Sequence, residues 1–338
     1  MDTKQLKYLG NIEQIAGIRE ATLRGGRADG VRIAEVHNAA GLRYTVVPDR
    51  GMDLYDLSYK GINLSFQSKN GLLSPYTFSP QRGEFSDQWS GGALVTCGLD
   101  NVGGHSENGG TFPTHGRFGY LPASSFGAFG DWEGEEYRLR LEGEVHQTKL
   151  YGRHLSLRRR IETGWQDKTI LLQDRITNHE ATDEPFMLLY HCNFGYPLLQ
   201  EDSVFAFSPA TVHPLKSFTG DPAVMTKPCD EKKEDLYLFT DLSERACGVL
   251  YNRRLGLGVY VAFPTKHLPC FQQWKHMKSH DYVLAIEPCN TMGLSRDNAL
   301  AQGVIPTVPA YSSLAITLEI GVLDGNDEID AFLATQNG

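Results

Sequence analysis

Apolar and polar residues alternate in short runs through most of the chain, and glycine or a polar turn closes nearly every run. In the stretch Leu155 to Glu162, Leu155, Leu157 and Ile161 fall on one side of an extended backbone, because successive side chains of a strand point to opposite faces. Gly41 to Val47, Tyr137 to Glu144, Ile170 to Thr177, Phe186 to Asn193, Gly258 to Phe263, Tyr282 to Glu287 and Ser313 to Ile320 read the same way. Their spacing of roughly ten to twenty residues suits antiparallel sheets better than strands alternating with helices. Helical periodicity is sparse. Asn326 to Gln336 is the clearest case, with Asn326 as N-cap and Ile329, Phe332 and Leu333 on one side. The pattern predicts an all-β fold, an antiparallel two-sheet β-supersandwich with few short helices. Residues 1–338 read as a single domain, with residues 1–35 an irregular leader or an edge element.

Composition supports that picture and narrows the function. The 338 residues contain no linker, charge block or repeat that would divide them, and large β-sandwiches reach this length undivided. The 35 glycines fit a fold with many tight turns. Acidic residues outnumber basic ones by 41 to 32, giving a formal charge of −9, which argues against nucleic acid as a partner. No apolar run is long enough to span a membrane, and the polar opening Met1-Asp2-Thr3-Lys4-Gln5 has no signal-peptide-like stretch behind it. Six cysteines without CxxC spacing suit a reduced, cytoplasmic protein. The sequence leaves a homodimer open.

Candidate chemistry gathers at strand ends and in one loop region. In Tyr190-His191-Cys192-Asn193-Phe194, an apolar strand ends on a histidine, with Asn193 on the same face. Taken alone, that spacing favours a core histidine bonded to backbone over an acid–base group. In Ala285-Ile286-Glu287-Pro288 a carboxylate closes another apolar strand and proline stops the ladder. Apolar burial would raise its pKa toward that of a general base, though a structural ion pair explains it equally. Gln81 to Pro122 is rich in glycine and polar groups, as functional loops often are. It holds His115-Gly116-Arg117, where the glycine permits close approach and the arginine offers a planar donor fork. Asp49-Arg50-Gly51-Met52-Asp53 sets charges beside a turn and reads equally as a surface salt bridge. Leu268 to Lys275 carries Gln272, Gln273 and Trp274, an amide and aromatic set suited to a sugar's hydroxyls and its apolar face.

The order of these pieces resembles the galactose mutarotase-like superfamily, in particular its aldose 1-epimerase-related members. His115-Gly116 comes first, then His191-Cys192-Asn193-Phe194, then Leu268 to Trp274, then Glu287-Pro288, spanning roughly residues 40 to 322. The resemblance implies an enzyme that interconverts the α and β anomers of an aldose or aldose derivative. His191 would be the general acid toward the ring oxygen, Glu287 the general base toward the anomeric hydroxyl, and His115 a partner of the ring. It implies no metal and no cofactor, and a small-molecule sugar as ligand. Two family features lack a match: an arginine in an Asn-Arg motif before the first histidine, and a substrate-binding aspartate. Arg50 and Arg117 stand in by chemistry, with Asn193, Gln273 and Trp274 as further binding residues. Three alternatives remain. One is a non-catalytic sugar-binding or sensor protein. Another is a glycoside hydrolase or lyase with Asp100, Glu107 or Asp281 beside Glu287. The last is a metal-dependent isomerase using His105, His115 and His191.

Overall fold

The computed structural model describes residues 3–215 and 220–336, so Met1 and Asp2 of the expected leader lie outside the described residues. Every strand read from the alternation is present, with ends that shift or extend by up to four residues. The Tyr137 run becomes Glu136–Thr148, the Phe186 run Met187–Phe194 and the Tyr282 run Asp281–Cys289. Helix Asn326–Gln336 forms over the range read, with Ile329 buried and Phe332 stacked on Tyr260 at 4.4 Å between ring centroids. Asn326 is its first residue rather than its N-cap, since the Ile329 N–H donates to the Gly325 carbonyl. The leader region divides into two parts. Thr3–Tyr8 and Ile12–Gln14 are 3-10 turns, and Gly17–Thr22 is the edge strand of a five-stranded sheet.

Two larger antiparallel sheets make the body. The eight-stranded sheet runs in the order Val204–Phe207, Arg245–Asn252, Leu257–Pro264, Ser313–Asp324, Thr169–Asn178, His154–Gly164, Glu136–Thr148 and Ser124–Glu133. The six-stranded sheet runs Thr211–Pro214, Asp235–Thr240, Cys270–Lys278, Asp281–Cys289, Met187–Phe194 and Val95–Leu99. Leu139, Leu141, Leu155, Leu157 and Ile161 of the first sheet share a core with Tyr190, Cys192, Phe194, Phe271, Leu284 and Ile286 of the second. Val36, Leu42, Tyr44, Leu54 and Leu57 of the five-stranded sheet join the same cluster. All six cysteines are free thiols. Among the described residues no helix is long and apolar enough to cross a membrane.

The inward set fixes what points outward. With Tyr190, Cys192 and Phe194 in the core, strand alternation sends Leu189, His191 and Asn193 to the other face of the six-stranded sheet. Leu284 and Ile286 inward likewise send Glu287 outward. Leu189 pairs with Cys289 and Cys192 with Ile286, so His191 and Glu287 stand on neighbouring strands at the same level. Gln272 pairs with Glu287 from the strand on the other side.

One charged cluster crosses the core behind this row. Arg159 occupies an inward position between Leu157 and Ile161 and is fully buried. Its guanidinium donates to Asp174 at 2.9 and 2.7 Å, to Asp53 Oδ1 at 3.1 Å and to Thr96 Oγ1 at 3.0 Å. The Tyr190 hydroxyl donates to Asp174 at 2.7 Å. Asp53 comes from the five-stranded sheet, Arg159 and Asp174 from the eight-stranded one, and Thr96 and Tyr190 from the six-stranded one. The cluster therefore ties all three sheets together one residue behind His191. Asp49 and Asp53, for which a surface salt bridge beside Arg50 was one of two equal readings, are both buried: Asp53 serves Arg159 and Asp49 pairs with Arg32 at 2.6 Å.

Candidate active site

His191 and Glu287 form the floor of a cleft of about 870 Å³ on the outer face of the six-stranded sheet. His191 Nε2 lies 3.2 Å from Glu287 Oε1, and both side chains are almost fully buried. His191 Nδ1 and His115 Nδ1 have no hydrogen-bond partner among the described residues, and Glu287 Oε1 has only the 3.2 Å approach of His191 Nε2, which is not aligned as a hydrogen bond. Buried donors and acceptors left unmatched cost free energy. Three such atoms at the bottom of one cleft leave a polar ligand something specific to bind.

Aromatic rings surround the pair. Trp89 and Trp274 stand nearly perpendicular with centroids 5.6 Å apart, and each lies within 5.6 Å of the His191 ring. His115 meets His191 edge-on at 5.7 Å, and Phe85 packs on His115 at 5.3 Å. Phe66 completes the apolar wall. Glu234 lines the cleft and accepts the Trp274 indole N–H at 2.9 Å, which fixes the ring's rotation. Asp281 lines it too, paired with Lys69 at 2.7 Å. Gln272 is 8% exposed, and Cys289 Sγ, at 3.7 Å, is the acceptor nearest its side-chain amide.

Local backbone explains His115. Both His115 and Gly116 have positive φ, 59° and 74°, a conformation that is uncommon for histidine and easy for glycine. A Cβ on Gly116 would stand 2.3 Å from the Gly98 carbonyl oxygen and 2.7 Å from that of Asn101. The glycine read as permitting close approach is thus required by backbone on its own chain. His115 is held facing the cleft by its carbonyl, which accepts from Gly98 N–H, and by its own N–H, which donates to Gly103 O.

Burial reverses the ordinary charge preferences of the two central groups. Desolvation, then Cys289 and Glu234, push the Glu287 carboxyl well above its usual range. Desolvation and the His115 ring hold His191 well below its ordinary value, against the opposing pull of Asn193. Desolvation lowers His115 to about 4, so its ring is neutral near pH 7. Burial in the cleft accordingly favours a neutral carboxylic acid beside a neutral imidazole. That arrangement holds one transferable proton, as the carboxylate–imidazolium arrangement does.

The structure brings four of the eight sequence-derived site residues to this cleft region and places four elsewhere. His191, Glu287, His115 and Trp274 line the cleft. Asn193 shares the His191 face, as read, but the Gly92 backbone covers it. Its amide donates to the carbonyls of Gly92 and His191, at 2.9 and 2.8 Å. Gln273 is one residue out of phase with Trp274, so it faces inward, where it donates to the Pro222 carbonyl at 3.0 Å. Its neighbour Gln272 takes the cleft position. Arg50 is buried away from the cleft, stacked on Tyr120 at 4.6 Å and donating to Leu73 O at 3.1 Å. Arg117 follows the left-handed turn at His115-Gly116, which sends it to the far side of the loop.

Residues that sequence reading passed over are Phe66, Phe85, Trp89 and Glu234, which sit in loops, in one short helix or beside a strand end, where no strand periodicity applies. Gln272 was named beside Gln273, and strand phase selects it; Asp281, named only as a hydrolase partner of Glu287, lines the cleft too. His105 turns away to Glu107 at 2.6 Å. Among the described residues no three His, Cys, Asp or Glu side chains converge as a metal site.

Two packed antiparallel sheets with a cleft on the outer face of one define a galactose mutarotase-like sandwich, and solved structures of that fold superpose on the chain. A candidate aldose 1-epimerase from Klebsiella pneumoniae matches with a TM-score of 0.87 at 21% identity, over 100% of this chain and 91% of that one. A galactose mutarotase-like protein from Clostridium acetobutylicum matches at 0.62 and 12% identity, over 92% and 99%. A galactose 1-epimerase from Lactobacillus acidophilus matches at 0.58 and 11%, over 92% and 100%. At these identities the likeness is one of fold. Residues 28–322 match a sequence family described as a domain of unknown function, DUF4432, and the chain belongs to that family. No curated protein matches it in sequence.

Proposed function

We propose that this protein is an aldose 1-epimerase-like isomerase, which interconverts the anomers of an aldose or aldose derivative through acid–base ring opening. The observation that carries this reading is the His191–Glu287 pair, 3.2 Å apart at the floor of an aromatic cleft, with His191 Nδ1 and Glu287 Oε1 making no hydrogen bond among the described residues. Mutarotation needs one group to protonate the ring oxygen and another to take the anomeric hydroxyl proton. His191 as imidazolium gives its proton to the ring oxygen, the bond from C1 to that oxygen breaks, and C1 becomes a carbonyl as Glu287 accepts the hydroxyl proton. Opening thus converts the charged pair into the neutral one that burial favours, which lowers the free energy of the open-chain stage. Rotation about C1–C2 and the reverse transfers close the ring as the other anomer. Sugar hydroxyls beside the carboxylate stabilise its charged form on binding, as hydrogen bonds to a charged acceptor do.

The walls suit a pyranose. Trp274, braced by Glu234, offers a flat apolar face to ring C–H groups, and Gln272 and His115 offer hydrogen bonds at its edge. Gln272→Ala is expected to raise KM about 2–10-fold, the equivalent of one hydrogen bond at ~0.5–1.5 kcal/mol. Gln273→Ala should leave KM unchanged and lower unfolding stability instead. Steady-state anomer exchange together with urea unfolding separates the two, and an equal effect on KM from both would contradict the strand phase.

The pH profile has a defined sign. Only the singly protonated pair has both a donor and an acceptor. Adding a second proton requires charging His191, whose folded-state pKa lies below the ordinary 6.5. The acid limb of the catalysed rate is therefore expected below pH 6.5, with the spontaneous rate subtracted at each pH. A limb centred at or above that value would show that burial does not govern the pair.

A further inference from the structure

Arg117, read at first as part of the sugar site, lies in a second pocket of about 410 Å³ that shares no lining residue with the cleft. The two sit back to back across the 100–117 loop. Val102, Gly103, Gly104, Thr114 and His115 face the cleft, whereas Asp100, Gly110, Thr111, Phe112 and Arg117 face this pocket. Its other wall is the hairpin that joins Glu136–Thr148 to His154–Gly164, which supplies Gln147, Thr148, Lys149 and Arg153.

The chemistry of this pocket is one-sided. Arg153 pairs with Asp100 at 2.9 Å and approaches Glu184 at 3.7 Å. Arg296 donates to the Asp100 carbonyl at 2.7 Å, and both guanidiniums lie over the Phe112 ring. That set is close to balanced. Arg117 and Lys149 are additional, and among the described residues neither is paired with a carboxylate. The nearest polar contact of the Arg117 guanidinium is a long 3.5 Å approach to Thr111 O. The Lys149 ammonium stands 3.7 Å from where a Cβ on Gly110 would be.

A neutral donor points the same way. Gln147 is 3% exposed, its Oε1 accepts Leu99 N–H at 2.8 Å, and its Nε2 has no partner among the described residues. The accepted bond identifies the unpartnered end of this lining residue as the NH2 group, which can only donate.

We infer that this pocket binds a phosphate-type dianion, free or carried by a small molecule. Two unmatched cations suit a charge of about −2. The guanidinium fork, ammonium, buried amide and Thr148 hydroxyl reach the pocket from two different elements, as a ligand with several oxygens requires, whereas the Thr111 hydroxyl is taken by Glu107 at 3.1 Å. The volume exceeds that of a bare oxyanion and leaves room for a short organic body beside Phe112.

Calorimetric titration of the full chain at constant ionic strength tests this, with inorganic phosphate and glycerol phosphate as probes. Saturable one-to-one binding is expected. Lys149→Ala and Arg117→Gln should each weaken it roughly tenfold or more, as loss of a hydrogen bond to a charged group does. The exposed Lys149 makes its variant safe for folding, and Trp274→Ala in the cleft should leave binding intact. Tighter binding of the ester identifies a phosphorylated metabolite as the ligand, and equal binding identifies free phosphate. Absence of saturation at millimolar probe, affinity indifferent to both pocket variants, or loss with Trp274→Ala instead would each overturn the proposal. None of these results depends on anomer exchange.

Discussion

Glu287→Gln is expected to bring the catalysed anomer exchange down to the spontaneous rate while the protein stays folded. One acid–base group contributes about 10²–10⁴-fold, and the amide can neither take the hydroxyl proton nor return it. The substitution is clean for a physical reason. Burial already favours the uncharged carboxyl at this position, so an isosteric neutral amide removes no buried ion pair and opens no cavity. His191→Ala should silence the reaction as well, with a modest loss of packing against Trp89 and Trp274. Saturation-transfer NMR on the anomeric protons reads the rate, and circular dichroism checks the fold. A Glu287→Gln protein that still exchanges anomers within about tenfold of the wild-type rate would remove the carboxyl from the mechanism.

The second large effect is on stability. Arg159→Met should destabilise the fold by ~3–5 kcal/mol, because it strands Asp53 and Asp174 as buried charges with their partner gone. Against a usual total of about 5–15 kcal/mol, that leaves the protein marginal. Urea unfolding measures it, and a loss below ~1 kcal/mol would show that the cluster is not what joins the sheets. Adding Asp53→Asn and Asp174→Asn to the same chain should recover part of the loss, since neutral amides remove the stranded charges.

These two predictions differ in how readily the sequence discloses them. The strand pattern was legible because alternation is a local consequence of burial on one face, and it placed Leu155, Leu157 and Ile161 inward correctly. The same phase puts Arg159 inward between them, so an arginine in a row of core residues was itself the sign of a buried ion cluster. Phase also decides between Gln272 and Gln273. Two adjacent residues of a strand cannot both face one cleft, so naming Trp274 commits its neighbour Gln273 to the core side. The expectation that included both conflicted with the rule that located the strand.

The rest was not written in any period. Phe85 reaches the cleft from the start of a short helix within the 81–122 region and Trp89 from the extended residue just after it, and Glu234 from the residue before a strand. Arg117 seemed adjacent to His115 in sequence, but two successive left-handed residues turn the chain between them. His191 and Glu287 were weak as isolated residues, and it was the order of motifs that joined them. Register then supplied the physical reason: pairing of Leu189 with Cys289 and of Cys192 with Ile286 sets the two at one level on neighbouring strands. The pKa directions sharpen the proposed division of roles, since burial favours the neutral form of the pair and the proposed acid–base cycle passes through both arrangements.

The central claim is that the cleft catalyses ring opening rather than merely holding a sugar. The most direct measurement is saturation transfer between α and β anomeric protons across a panel of free and modified aldoses, with and without purified protein. For at least one sugar the account predicts exchange that rises with protein concentration, saturates with substrate and disappears in Glu287→Gln. Saturable sugar binding in the cleft with exchange no faster than in buffer, for every aldose bound, would contradict it.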